Sequence, residues 1–228
     1  MRTSRRASRP AGSPAAFRAS AMGWAIIATL ALCVAAARGA AAGSPPVVKI
    51  VSGPKCVEGE PATDTSVAIT QGVTFTARPM KTEEWEERLN RRAPGQGGLF
   101  RGHGGSPAPF QAFLVKVENK NPALVRFQPG NIVLIGGKNE EDHILDYTDL
   151  YRYLEGIGKS GDDLDSVRDE FFDSGMILEE ARPVEKIVFF HALPPDKKRK
   201  AMALLFSSFQ VGTETYQAGL AWHFEKVQ

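Results

Sequence analysis

FQAFLVKVENKNPALVRFQPGNIVLIGG, residues 110–137, holds three short apolar runs separated by Asn-Pro and Pro-Gly. From Phe113 to Glu118 the side chains alternate. Phe113, Val115 and Val117 face one way and Lys116 and Glu118 the other, the period of a half-buried strand. Residues 119–122 read as a turn, 124–127 as a second strand and 132–135 as a third. The third is apolar on both sides, as in a strand covered on both faces. The stretch is expected to be a hairpin-built centre of a β-sheet.

Strand signals continue on either side of it. Residues 47–51 read as a first strand after a short linker. Residues 66–70 and 73–77 flank Gln71-Gly72, which makes them one bulged strand or two strands joined by a tight turn. Toward the end, 176–178, 185–192, 202–210 and 215–227 are further strands. Tyr216, Ala218, Leu220, Trp222 and Phe224 share one face of the last. Residues 188–190 and 204–206 are apolar on both faces, as central strands are. Short strands without regular β-α alternation predict a mainly β fold, an antiparallel sandwich with short helical insertions.

The insertions are distinct in composition. Residues 81–92, KTEEWEERLNRR, place acids in the first turn and arginines in the last, which matches a helix dipole. Thr82 is the expected N-cap. Glu84 with Arg88 and Glu87 with Arg91 are the expected i,i+4 pairs, and Trp85 and Leu89 form a narrow apolar stripe. Residues 93–109 are rich in Gly and Pro and predict a mobile loop, with Leu99-Phe100 as an apolar dipeptide inside it. Residues 148–172 hold two more helical stretches: 148–154, with Thr148 as its cap, and 162–172, with Leu164, Val167 and Phe171 on one face. Trp85, Leu89, Leu99 and Phe100 are the candidate contacts for a partner. The simpler reading docks the stripe against the protein's own sheet and folds the dipeptide back onto its own domain.

The first 42 residues differ from the rest. Five arginines precede an uncharged apolar run over 21–37, and Ala40 to Ala42 supply small residues, the order of a secretory signal peptide with cleavage after Ala42. The alternative is an uncleaved anchor, since about 17 apolar residues lie at the lower edge of a membrane span. Leu32 before Cys33 argues against a lipidation site. Removing 1–42, which contains six arginines and no acid, leaves 22 of the 28 basic residues against 26 acidic ones, so a net charge of +2 becomes −4. The basic balance of the whole chain therefore reports an address, and no nucleic-acid partner is expected. KKRK at 197–200 reads as a solvated turn. Cys56 alone remains after cleavage, which excludes an internal disulfide in the mature monomer.

No pattern of catalytic residues emerges. Gly158-Lys159-Ser160 lacks the earlier glycine of a phosphate loop, since Tyr153 stands there. The acids Asp162, Asp163, Asp165, Asp169, Glu170 and Asp173 are dense enough to suggest calcium. Val167 and Arg168, however, break the spacing of a calcium loop, and a solvated helix face is the simpler account. His103, His143, His191 and His223 are far apart, and no metal or other cofactor is expected. Ser207-Ser208 lack a nucleophile elbow and read as ordinary strand positions.

The pattern FLVKVENKNP…LVRFQPGNIVLI, followed by an aspartate-tyrosine helix and the proline-led strand VEKIVFFHALP, resembles bacterial exported proteins with an immunoglobulin-like β-sandwich domain. The resemblance covers roughly residues 66–227, and the Gly-rich 93–109 departs from it. It implies an envelope location, periplasmic or extracellular, and non-enzymatic binding or assembly with an envelope protein partner. It carries over no catalytic residue. The competing readings are an envelope hydrolase or metal-dependent enzyme built from scattered residues, and a structural component held in the inner membrane by a retained leader.

Overall fold

The computed structural model describes residues 49–51, 53–57, 62, 64–136, 140–172, 174–193 and 200–225, all within the compact unit Ser44–Gln228. The leader at 1–42, Cys33 and most of the 197–200 basic run lie outside the described residues.

The described chain is mostly β, in two sheets. In order the strands are β1 (Lys49–Val51), β2 (Lys55–Val57), β3 (Ser66–Thr70), β4 (Val73–Met80), β5 (Phe110–Asn119), β6 (Val125–Phe127), β7 (Ile132–Ile135), β8 (Glu141–His143), β9 (Met176–Leu178), β10 (Val184–His191), β11 (Ala201–Val211) and β12 (Glu214–Glu225). Helices α1 (Thr82–Arg92), α2 (Tyr147–Gly156) and α3 (Asp162–Asp165) interrupt them. β10-β5-β4-β3 form a four-stranded sheet. The other sheet has eight strands on the path β1-β12-β11-β6-β9, with β2 also on β12, β7 on β11 and β8 on β7.

The quoted stretch is not a hairpin. β5 belongs to the four-stranded sheet and β6 and β7 to the other, so 119–124 is a corner at which the chain changes sheet. Asn119, fully buried, holds this corner. Its amide donates to the carbonyls of Ala123 at 2.9 Å and Leu178 at 3.1 Å, and its oxygen accepts from Asn121 N–H at 2.8 Å. Gln71-Gly72 is a two-residue turn, both residues at positive φ (50° and 72°), in the geometry that matches strand twist. Asn121 donates to Gln71 O at 2.8 Å and so ties this turn to the corner.

Two further expectations change. The sandwich is not wholly antiparallel: β1 and β2, from the stretch read as linker and first strand, both run parallel to β12. Gly53, between them, lies so close to β12 that a Cβ there would strike the Ala221 carbonyl. Ser207-Ser208 sit at a register shift in β11 between Phe206 and Phe209. Before it β11 pairs with β7 and after it with β6, and Ser207 Oγ donates to Asn131 O at 2.7 Å. One long strand thereby serves two short neighbours.

The facing sides of the sheets enclose one core. Phe75 stacks with Phe206 and Phe209 at 4.6 and 4.9 Å between ring centroids, and Trp222 lies 5.4 Å from Phe113 while donating to Asp64 O at 2.7 Å. The four-stranded sheet is also covered on its other side by α1, the 93–109 loop, α2 and α3. This builds a second core around Trp85, Phe100, Phe171 and Phe189. β10 is apolar on both faces for this reason, although it is an edge strand and not a central one. Its outer edge is closed by β8 and the chain that follows it: Leu145 N–H donates to Phe189 O at 2.8 Å, and His191 N–H donates to the Asp142 carboxylate at 2.6 Å.

Candidate functional site

The helical layer on the four-stranded sheet gathers the expected site residues. α1 begins one residue earlier than read: Lys81, not Thr82, is the N-cap, and the Glu84 carboxylate accepts its N–H at 2.9 Å. That bond, and then the Arg78 guanidinium at 3.0 Å, hold the Glu84 carboxyl below its ordinary value despite partial burial. Glu84 therefore pairs with Arg78 and not with Arg88. Arg88 reaches across the layer, to Glu170 at 2.5 Å and Glu185 at 2.8 Å. Burial pulls its pKa down, but those two carboxylates outweigh it and the net direction is up.

Trp85, Leu89, Leu99 and Phe100 come together, but inward, each 3% exposed or less. Trp85 meets Phe100 at 5.9 Å and Phe189 at 5.3 Å. As candidate partner contacts these four are corrected to core residues, because their surface is already covered by the protein itself. The 93–109 loop is correspondingly fixed in the fold, contrary to its composition. Lys159 donates its ammonium to Gly98 O at 2.5 Å and Leu99 O at 2.7 Å, and Tyr153 donates its hydroxyl to Phe100 O at 3.2 Å. Arg101 bonds both oxygens of the buried Glu86 at 2.7 and 2.6 Å. Lys159 of the Gly-Lys-Ser triplet is thus a loop clamp.

α2 is capped by Asp146, not Thr148, with Asp149 reaching back to Asp146 N–H. The stretch 162–172 is not one helix. After α3 it tightens into a 3-10 turn at Arg168–Glu170 and then straightens, so that Phe171 bridges to Ile187. Its acids point to different partners: Asp163 accepts from Gln96, Asp165 from Tyr147, Asp169 from Arg92 and Glu170 from Arg88. Among the described residues, no group of three His, Cys, Asp or Glu is placed to hold a metal ion. His191 Nδ1 lies 3.2 Å from Asp142, while His103, His143 and His223 sit on separate elements. Cys56 is half-buried against the first core, its sulfur 4.0 Å from Pro54 O.

At the surface of this layer Arg88, Arg91, Arg92 and Glu170 line an open depression of about 340 Å³. Arg92 bonds Asp169 at 2.6 Å, and the Asp169 side chain is 77% exposed. Arg91 is exposed and makes no ion pair among the described residues. The sequence shows these arginines as a helix-dipole signal and as i,i+4 partners of Glu84 and Glu87. Their convergence with Glu170 depends on how α1 crosses the sheet.

No known protein family and no curated protein matches the chain. Among solved structures, the YjhA protein from Bacillus subtilis is 11% identical, with 75% of this chain and 98% of that one covered and a TM-score of 0.38. The secreted protein MPT63 from Mycobacterium tuberculosis is 8% identical, with the same coverage and a TM-score of 0.32. No helix among the described residues is long and apolar enough to cross a membrane.

Proposed function

We propose that the chain is an exported, non-enzymatic binding module of the bacterial envelope, built on an immunoglobulin-like sandwich, and that the rim of α1 is its recognition surface. The arginine-lined depression carries this reading. With Trp85, Phe100, Phe171 and Phe189 turned inward, the rim of α1 offers a partner polar groups. Arg91 has a guanidinium to give, and Arg92 is held by a carboxylate exposed enough to be exchanged for another. Such a surface suits an acidic segment of a protein partner, since guanidinium forks match carboxylates. Export is supported by the basic, apolar and small-residue order of 1–42.

The experiment is fractionation followed by affinity capture from envelope and culture fractions, comparing the parent with Arg91→Glu/Arg92→Glu. The expected result is an exported chain that captures one stoichiometric, salt-sensitive protein, which the double variant loses at an unchanged melting temperature. Retention in the cytoplasm, or equal capture by the variant, rejects the reading.

A further inference from the structure

We propose that Asp169 is a built-in competitor at the arginine-lined depression: in the unbound chain its carboxylate occupies Arg92, and the acidic segment of a partner binds against it. The inference rests on the reading of the α1 rim as a recognition surface.

Three guanidiniums meet at the depression, and each is held differently. Arg88, half-buried, bonds Glu170 at 2.5 Å and Glu185 at 2.8 Å, and its Nη2 also donates to the Glu185 carbonyl at 3.3 Å. These bonds tie α1 to the turn at 168–170 and to β10, and so belong to the fold. Arg91 makes no ion pair among the described residues. Arg92 makes one, to Asp169 at 2.6 Å, between side chains that are 48% and 77% exposed. An exposed pair of that kind adds little stability, yet it cancels the charge of one of the two guanidiniums left for a partner. An incoming carboxylate must displace Asp169 or share Arg92 with it, and either course weakens its binding.

The turn that carries Asp169 is fixed without it. Val167 is fully buried, the Arg168 guanidinium lies 4.7 Å from the centre of the Tyr147 ring, Glu170 is bonded to Arg88, and Phe171 bridges to Ile187. Glu170 N–H to Val167 O at 2.9 Å and Phe171 N–H to Arg168 O at 3.1 Å close the main chain. Asp169 has its bond to Arg92 and, among the described residues, no other hydrogen bond from its side chain. On the other side, α1 is closed by Ala93 N–H to Leu89 O at 2.9 Å. The Asp169 carboxylate can therefore leave Arg92 while both elements keep their places.

Titration of the purified chain with a short oligoglutamate peptide at about 50 mM salt, where surface charges are less screened than at physiological ionic strength, tests this. Asp169→Ala is expected to bind about two- to fivefold tighter than the parent, at an unchanged melting temperature. The gain is expected to vanish when Arg92→Gln is added, because no guanidinium then remains to compete for. Glu141→Ala removes one negative charge from the exposed surface of β8 and is expected to bind as the parent does. A gain that survives Arg92→Gln, or that Glu141→Ala matches, is an effect of net charge and overturns the proposal. Equal binding by the parent and Asp169→Ala, with loss in Arg91→Glu/Arg92→Glu, overturns it and leaves the recognition surface standing. Absence of binding by both the parent and Asp169→Ala overturns the two together.

Discussion

Asn119 is wholly buried where β5 leaves one sheet for the other, and its amide makes three hydrogen bonds to main chain there. Asn119→Ala removes all three bonds from that buried corner and is expected to cost roughly 2–4 kcal/mol in urea denaturation. Asn119→Asp is expected to be no milder, because it sets a carboxylate against the Ala123 and Leu178 carbonyls. Glu84 gives a residue-level test in pH. Its carboxyl is held below the ordinary value of 4.5 in the fold, so the contribution to stability is complete above about pH 4.5 and fades as pH falls through the lowered value. In urea titrations across pH 3–7 the stability gap between the parent and Glu84→Gln should be constant in the upper range and close toward the acid end.

Among the elements, α1 was legible because its signals are local: acids first, arginines last, and Trp85 and Leu89 four apart. Its i,i+4 pairs were not, since Arg88 has better acceptors in Glu170 and Glu185, contributed by chain 82 and 97 residues away. The 93–109 loop fails as a reading for the same reason. Glycine and proline content describes what a loop does alone, and this one is held by Lys159, about 60 residues on. Lys159→Met keeps the stem but removes the donor, which leaves the Gly98 and Leu99 carbonyls without it. Hydrogen exchange over 96–101 is expected to quicken by at least tenfold while the strands of the inter-sheet core keep their protection. Unchanged exchange in the loop would show that burial of Leu99 and Phe100 suffices to fix it.

For the whole molecule, alternation identified most of the strands, though not the short β2 and β8, and which of their faces are apolar, but it could not say which sheet each strand joins. Asn-Pro at 121–122 reads the same whether the chain turns back on its neighbour or crosses to the facing sheet. The second core was hidden likewise, because an edge strand apolar on both faces resembles a central one. β10 tests how far the two cores form a single structure. Phe190 points into the inter-sheet core and Phe189, its neighbour in sequence, into the core under the helices, both about fully buried. Either change to Ala is expected to cost about 3–5 kcal/mol. Because both side chains hang from one strand, and the β10–β5 ladder is shared, loss from either core weakens the same ladder. Calorimetry of Phe189→Ala and of Phe190→Ala should therefore each show a single transition at lowered temperature. An early, separate transition in Phe189→Ala alone would mean that the helical layer melts off a sandwich able to stand without it.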